Sequence, residues 1–131
     1  MMRILFIEDD PMNRRVVRDM LSIAGMMMSE ADGGKSGIER LENEEFDLLL
    51  LDLRMPEMDG FDVMRALRGR EDTLKNIPIV VVTADASPGL EDKCLDTGAD
   101  AVLFKPIAMQ ALFDIIATVF VDRADPDTVL G

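Results

Sequence analysis

Acidic side chains follow two apolar runs of this 131-residue chain, and they are the residues best suited to chemistry. The run ILFI ends at Glu8, Asp9 and Asp10, and the run LLLL ends at Asp52. Such short apolar runs are typical of strands buried on both faces, as in a parallel sheet covered by helices. The carboxyl ends of parallel strands meet at one edge of the sheet, where open α/β sheets bind their ligands. The pattern therefore predicts a group of carboxylates at that edge.

Two further strand ends add a hydroxyl and an ammonium group, Thr83 and Lys105. Oxygen ligands suit Mg²⁺, or Mn²⁺ as an alternative, and the chain has neither His nor a thiolate cluster to favour zinc. With a cation held by the pair Glu8 and Asp9, Asp52 could stay ionised and attack a phosphoryl group, forming an aspartyl phosphate. The cation, Thr83 and Lys105 would then neutralise the phosphoryl oxygens.

The composition excludes several classes of function. The chain has 26 acidic and 14 basic residues and a formal net charge of −12, which disfavours direct binding to nucleic acid or to an anionic membrane surface. The absence of His excludes His-based catalysis, and the single cysteine, Cys94, excludes an intrachain disulfide. No apolar run is long enough to span a membrane, and the start of the chain does not read as a signal peptide. The cytoplasm is the expected compartment.

Strands and helices are predicted to alternate along the chain as βαβαβαβαβα. Five strands are expected over 3–7, 26–30, 48–51, 77–82 and 100–104, and apolar residues at helical spacing follow each of them. The alternation predicts a parallel sheet with right-handed crossovers and helices on both faces.

Cap and proline signals mark where the predicted helices begin. Pro11 follows Asp10, and Pro88 follows Ser87, the order typical of an N-cap and the first helical residue. Asp59 is the expected cap of the third helix. Asp10 is therefore assigned to capping rather than to a cation site.

Taken together, these motifs closely resemble the receiver domain of two-component response regulators. The matching segments are ILFIEDD at 4–10, LLLLDLRMPEMDG at 48–60, VVTA at 81–84 and FKP at 104–106, within a resemblance that covers about residues 3–121. It implies a flavodoxin-like, doubly wound (βα)5 fold with a parallel sheet of order 2-1-3-4-5. The receiver domain is expected to cover residues 1–122, and 123–131 to be a flexible tail or the start of a linker.

The resemblance also implies roles for single residues. Asp52 corresponds to the phosphoacceptor, which takes a phosphoryl group from a histidine of a sensor histidine kinase or a histidine phosphotransfer protein. Glu8, Asp9 and Asp52 correspond to the ligands of Mg²⁺, together with the backbone carbonyl of Arg54. Asp85 and Arg54 border the expected site, where each either controls the access of water or simply faces solvent.

Thr83 and Lys105 correspond to the family's switch hydroxyl and phosphoryl-binding lysine, and the bond from Lys105 to Pro106 is expected to be cis. One position departs from the family, because Val102 stands where the aromatic switch residue is usual. Phe104 is expected to belong to the core. A rotating aromatic side chain is therefore not expected to report phosphorylation: either Thr83 still moves, or the output is weak and local.

Three functions are compatible with these motifs, and a signalling phosphoacceptor, not an enzyme acting on other molecules, is favoured. It would stand alone or be excised from a hybrid kinase, and its output protein is unknown. A pseudo-receiver, which binds a partner without phosphorylation, would be expected to have lost an acid, Thr83 or Lys105, and none is lost. A Mg²⁺-dependent phosphatase of the haloacid dehalogenase type would need a second Asp where Arg54 stands. The face of the fourth helix, fifth strand and fifth helix is the expected surface for homodimerisation or docking.

Overall fold

Residues 2–123 of the chain are described by a computed structural model. The elements in chain order are β1 (Arg3–Ile7), α1 (Pro11–Ile23), β2 (Met27–Ala31), α2 (Gly34–Asn43), β3 (Leu48–Asp52), α3 (Gly60–Arg68), β4 (Ile79–Thr83), α4 (Leu90–Thr97), β5 (Ala101–Phe104) and α5 (Met109–Arg123). A 3-10 turn, Thr73–Asn76, lies between α3 and β4. The predicted tail lies outside the described residues, except for its first residue, which ends α5.

The five strands form one parallel sheet in the order β2-β1-β3-β4-β5, which confirms the predicted fold. The register pairs Ile7 with Leu51, and Asp52 with Val82. Thr83, the last residue of β4, pairs in turn with the last residue of β5. The carboxyl ends of the central strands are therefore level with one another, and side chains from three of them can meet.

Alternate residues of the central strands enter two separate cores. Leu5, Ile7, Leu49 and Leu51 pack on the side of α2, α3 and α4. Their neighbours in sequence pack on the side of α1 and α5, namely Ile4, Phe6, Leu48 and Leu50. Both faces are covered because successive side chains of a strand point in opposite directions. Burial on both faces explains why residues 4–7 of β1 and 48–51 of β3 are all apolar. The packed strands make the carboxyl edge a rigid support for the residues that follow.

Two aspartates begin helices beside this edge, as predicted. Asp10 accepts a hydrogen bond from the Met12 amide at 2.9 Å, with Pro11 as the first residue of α1. Asp59 and Asp62 form a reciprocal capping box at the start of α3. Each cap satisfies amides that the first helical turn leaves unpaired, and so fixes the direction in which the helix leaves the edge.

The predicted cap at Ser87 is wrong, since α4 begins three residues later, at Leu90, after Gly89 in the left-handed region with φ 84°. The Ser87 amide instead donates to the Asp85 carboxylate at 2.9 Å, and its hydroxyl also contacts that group. Local side-chain hydrogen bonds of this kind compete with helix formation. The loop between β4 and α4 is consequently longer than the sequence indicated.

The expectation that Phe104 belongs to the core is also wrong, because 37% of its surface is exposed. Val102 lies on the same face of β5 and is only 8% exposed, in the core cluster that includes Cys94 of α4. Phe104 is the last residue of an edge strand, which has a neighbouring strand on one side only. Its ring therefore extends beyond the core. Among the described residues, no helix has the length and apolar character needed to cross a membrane.

Candidate functional site

Three carboxylates meet at the carboxyl edge of the sheet. Glu8 and Asp9 follow β1, Asp52 ends β3, and one oxygen from each lies within 4.8 Å of the others. Glu8 is 1% exposed and Asp52 5%, whereas Asp9 is exposed. Hard oxygen donors at this spacing, without His or thiolate, fit Mg²⁺ or Mn²⁺. The residues present are therefore suited to a divalent cation.

Asp9 is harder to ionise than an ordinary aspartate. Partial desolvation at the edge, and then the hydrogen bond and charge of Glu8, raise the pKa of Asp9 above its ordinary value of 3.8. Burial and the neighbouring Glu8 carboxylate both disfavour the ionised form of Asp9, and a bound cation would favour it.

Lys105 is the basic side chain that reaches this cluster from β5. Its Nζ lies 2.9 Å from Glu8 Oε1 and 3.5 Å from Asp52 Oδ1. Although partial burial lowers the pKa of Lys105, the hydrogen bond to Glu8 and the charges of Asp52 and Glu8 raise it above 10.5. The following bond, from Lys105 to Pro106, is cis. Lys105 is thus a charged partner shared by two carboxylates.

Thr83 lies at the end of β4, one residue beyond the partner of Asp52 in the strand register. It is 1% exposed, and its hydroxyl accepts a hydrogen bond from the Asp85 amide at 3.1 Å. The hydroxyl is therefore held by the β4–α4 loop. Val102, at the position of the expected aromatic switch, is an aliphatic core residue and offers no ring that could rotate.

An ion pair joins the two loops that border the cluster. Arg54, two residues after Asp52, contacts the Asp85 carboxylate at 2.6 Å, although its own side chain is largely exposed. Hydrogen bonds from Ser87, and then from Arg54, lower the pKa of Asp85 to about 2. Asp85 therefore faces Arg54 rather than only solvent.

The β3–α3 loop that carries Arg54 folds back closely on Asp52. The Gly60 amide donates to the Leu53 carbonyl at 2.9 Å. A Cβ at Gly60 would lie 2.6 Å from the Asp52 carbonyl oxygen and 2.9 Å from the Leu53 Cα. Only glycine fits at this position without moving backbone, so Gly60 helps to place the end of β3.

Two residues that no sequence motif singled out, Asn13 and Arg14, both contact Glu8. Asn13 Nδ2 donates to Glu8 Oε1 at 3.0 Å, and Arg14 Nη1 donates to the Glu8 backbone carbonyl at 2.7 Å. The cap at Asp10 offered a signal, since it places residues 13 and 14 in the first turn of a helix that starts just after the acidic pair.

Comparisons with known proteins agree with this geometry. Residues 4–117 match the family described as response regulator receiver domain. Hybrid signal transduction histidine kinase G of Dictyostelium discoideum is 36% identical over 117 residues, which are 88% of this chain and 3% of that protein. Sensor histidine kinase RcsC of Salmonella typhi is 35% identical over 122 residues, 93% of this chain and 12% of that protein. The chain therefore spans only a small part of these relatives.

Solved structures give the same result. Chemotaxis protein CheY4 of Vibrio cholerae superposes with a TM-score of 0.84 at 28% identity, covering 91% of this chain and 98% of that one. The receiver domain of sensor histidine kinase PA1611 from Pseudomonas aeruginosa, solved with a magnesium ion coordinated in its active site cleft, gives a TM-score of 0.81 at 31% identity, with 89% and 95% covered. The chain therefore belongs to the response regulator receiver domain family, whose members act in two-component phosphorelay signalling.

Proposed function

We propose that Asp52 accepts a phosphoryl group and that this chain passes the resulting change to a partner. The observation that carries the proposal is the meeting of Glu8, Asp9 and Asp52 within 4.8 Å, with Lys105 in contact with two of them. Asp52 ends the central strand and is buried, while Glu8 and Asp9 are neighbours suited to holding a cation. This division of roles leaves Asp52 as the nucleophile.

The donor is an N-phosphorylated imidazole of a sensor histidine kinase or a histidine phosphotransfer protein. An oxygen of Asp52 attacks phosphorus, and the new O–P bond forms as the P–N bond breaks. The bonding electron pair returns to the imidazole nitrogen, which takes up a proton. The product is an aspartyl phosphate, so the chain serves as a signalling phosphoacceptor whose own chemistry is limited to this transfer and to hydrolysis of the product.

Mg²⁺ fits the donor set of Glu8, Asp9 and Asp52, and the backbone carbonyl of Arg54 completes the protein's proposed ligands. When bound, the cation supplies positive charge to the phosphoryl oxygens and lets the carboxylates remain ionised side by side. The chain's own contribution is to hold these oxygens in place on the rigid edge of the sheet.

Lys105 and Thr83 respond to the new group. The phosphoryl group adds charge close to Lys105, which exchanges its contact with Asp52 Oδ1 for one with a phosphoryl oxygen. The Thr83 hydroxyl can donate to another phosphoryl oxygen. Since that hydroxyl now accepts from the Asp85 amide, its movement displaces the β4–α4 loop, which also carries the contact to Arg54.

The face formed by α4, β5 and α5 is the proposed surface for an output protein or for a second copy of the chain. Leu95, Phe104 and Met109, one from each element, are exposed apolar side chains, which supports this choice. Because Val102 cannot rotate as an aromatic would, the change at this face follows from the β4–α4 loop. The cytoplasm is the proposed compartment.

Phosphorylation in the absence of divalent cation tests the proposal. The chain is incubated with acetyl phosphate and Mg²⁺, or with acetyl phosphate and excess chelator, and its intact mass is measured. We expect a gain of one phosphoryl group with Mg²⁺ only. Equal labelling in chelator would contradict the proposed role of the carboxylate cluster.

A second measurement covers the case in which the label is lost quickly. Beryllofluoride mimics the phosphoryl group and forms no hydrolysable product, so with Mg²⁺ it should raise the midpoint of thermal unfolding. No mass gain and no effect of beryllofluoride would together indicate a receiver that binds its partner without phosphorylation.

A further inference from the structure

We propose that Asn13 is a positioning residue that orients the Glu8 carboxylate for the divalent cation, with Arg14 fixing the Glu8 backbone beside it. The inference rests on the proposed function, because it concerns the cation site assigned there. It adds two residues of α1 to that site, neither of which is a ligand or touches the phosphoryl group. Outer-shell partners of this kind set the direction in which a metal ligand points.

The two oxygens of Glu8 have different surroundings. Oε1 accepts from Asn13 Nδ2 at 3.0 Å and from Lys105 Nζ at 2.9 Å. Within the described residues, the one hydrogen bond to Oε2 is the long contact of 3.5 Å from the Asp10 amide. A carboxylate oxygen has room for about two donors. Oε1 is therefore filled, and Oε2 is the oxygen left for the cation.

The two donors to Oε1 differ in whether they also contact a second acidic residue. Lys105 also contacts Asp52, and under the proposed function it binds a phosphoryl oxygen once Asp52 is modified. The Asn13 amide donates to Glu8 and has no competing partner of this kind among the described hydrogen bonds. Because Glu8 is 1% exposed, water cannot readily replace a lost donor. Asn13 thus keeps Oε1 occupied, and Oε2 directed to the cation, through both states of the site.

Arg14 holds the other end of the same residue. Its Nη1 donates to the Glu8 carbonyl at 2.7 Å, while its Nε donates to Glu30 Oε1 at 3.0 Å. The Glu30 carboxylate belongs to β2, the strand next to β1. Consecutive residues of the first turn of α1 therefore fix both the side chain and the main chain of Glu8.

The test measures the affinity for Mg²⁺ directly, by calorimetric titration of the unmodified chain and of the variants Asn13→Leu and Asn13→Ala. Leu keeps the number and branching of the heavy side-chain atoms of Asn, and Ala favours the helix, but both lack the donor. We expect the Kd for Mg²⁺ to rise about tenfold in both variants, the lower end of the range for outer-shell partners. Labelling by acetyl phosphate should return to the unmodified rate at saturating Mg²⁺, because Asp52 is unchanged.

Asn43→Ala is the matched control. Asn43 also donates an amide hydrogen bond from a helix, to the Glu39 carbonyl at 2.7 Å, but it lies on α2 and does not contact Glu8. Its Kd for Mg²⁺ should match that of the unmodified chain, and thermal unfolding should show that all variants are folded.

Three results would overturn the inference. Variants of Asn13 that bind Mg²⁺ as tightly as the unmodified chain would show that the donor is not needed. A weaker affinity in the Leu variant alone would indicate an effect of side-chain bulk. An unmodified chain that binds no Mg²⁺ would reject the proposed function as well, so the two failures can be distinguished.

Discussion

The carboxylate cluster at the carboxyl edge of the sheet and the acidic residues at its amino edge have different partners. At the carboxyl edge, Glu8 and Asp52 share one ammonium group, that of Lys105, and Asp9 lies beside them. At the amino edge, acidic residues contact arginines instead. These ion pairs join Arg3 with Glu44 at 3.3 Å, Arg68 with Asp100 at 3.3 Å, and Arg70 with both Glu42 at 2.9 Å and Asp72 at 2.7 Å.

The pKa of Asp9 in the cluster and the pKa values of acidic groups at the amino edge are shifted in opposite directions. Hydrogen bonds from arginine lower the pKa of Glu44 and of Asp72 at the amino edge. Desolvation and the neighbouring Glu8 carboxylate raise that of Asp9 at the carboxyl edge. The acidic groups named at the amino edge thus have arginine partners. The cluster of Glu8, Asp9 and Asp52 has one ammonium group for three carboxylates and keeps negative charge that a bound cation can neutralise.

Open volume and unneutralised acidic charge lie in different parts of the molecule. An open cleft of about 690 Å³ lies at the amino edge, among side chains that include Glu42, Phe46, Arg70 and Asp72. Several of its charged groups form ion pairs described above, namely Glu42, Glu44, Arg70 and Asp72. Unbalanced charge, rather than open volume, therefore distinguishes the edge that carries the proposed site.

Asp9→Asn should weaken the binding of Mg²⁺ while raising the stability of the chain without Mg²⁺. We expect its effect on Mg²⁺ affinity to be the largest of the changes predicted here. Loss of a proposed ligand should raise the Kd for Mg²⁺ by about a hundredfold or more, beyond the usual cost of an outer-shell change. In chelator at neutral pH the variant should unfold at a higher temperature, because a raised pKa means that folding disfavours the ionised Asp9. A midpoint of thermal unfolding in chelator that is lower for Asp9→Asn than for the unmodified chain would contradict this prediction.

The same substitution at the two ends of α3 should have unequal effects. Gly60→Ala places a Cβ against the backbone of Asp52 and Leu53, and an overpacked contact of this kind costs about 1–3 kcal/mol. Gly69→Ala, at the amino edge, meets only the Arg65 carbonyl at 3.1 Å and should cost less. Urea unfolding measures both. Equal losses would show that Gly60 has no special role in placing Asp52.

Asp72→Asn should change the stability of the chain least. It should lower the stability, whereas Asp9→Asn should raise it in chelator. The variant should be slightly less stable than the unmodified chain at neutral pH, because exposed ion pairs contribute little. A lowered pKa gives stability that is present above the ordinary value of 3.8 and is lost as the pH falls. Thermal unfolding from pH 7 to pH 3 should therefore show the difference shrinking towards zero. A difference that persists at low pH would mean that charge is not its source.

Most of the fold could be predicted from the sequence because its signals are local. Four-residue apolar runs, caps such as Asp10 and Asp59, and the alternation of elements together favour one fold. The meeting of Glu8, Asp9 and Asp52 followed from the rule that parallel strands end at one edge.

The errors and omissions concern contacts that no local pattern encodes. Ser87 carries a typical cap signature, but a turn with Asp85 takes its place. Phe104 is apolar, yet its exposure depends on its place at the end of an edge strand. The contacts of Asn13 and Arg14 with Glu8 depend on the angle at which α1 leaves β1, which the sequence alone does not give.

The most direct test compares one acid from each edge. Asp52→Asn and Asp72→Asn remove the same charge, and each variant is incubated with acetyl phosphate and Mg²⁺ before its intact mass is measured. We predict that Asp72→Asn gains one phosphoryl group, about 80 Da, as the unmodified chain does, and that Asp52→Asn gains none. A phosphoryl group retained by the folded Asp52→Asn variant would contradict the assignment of the acceptor.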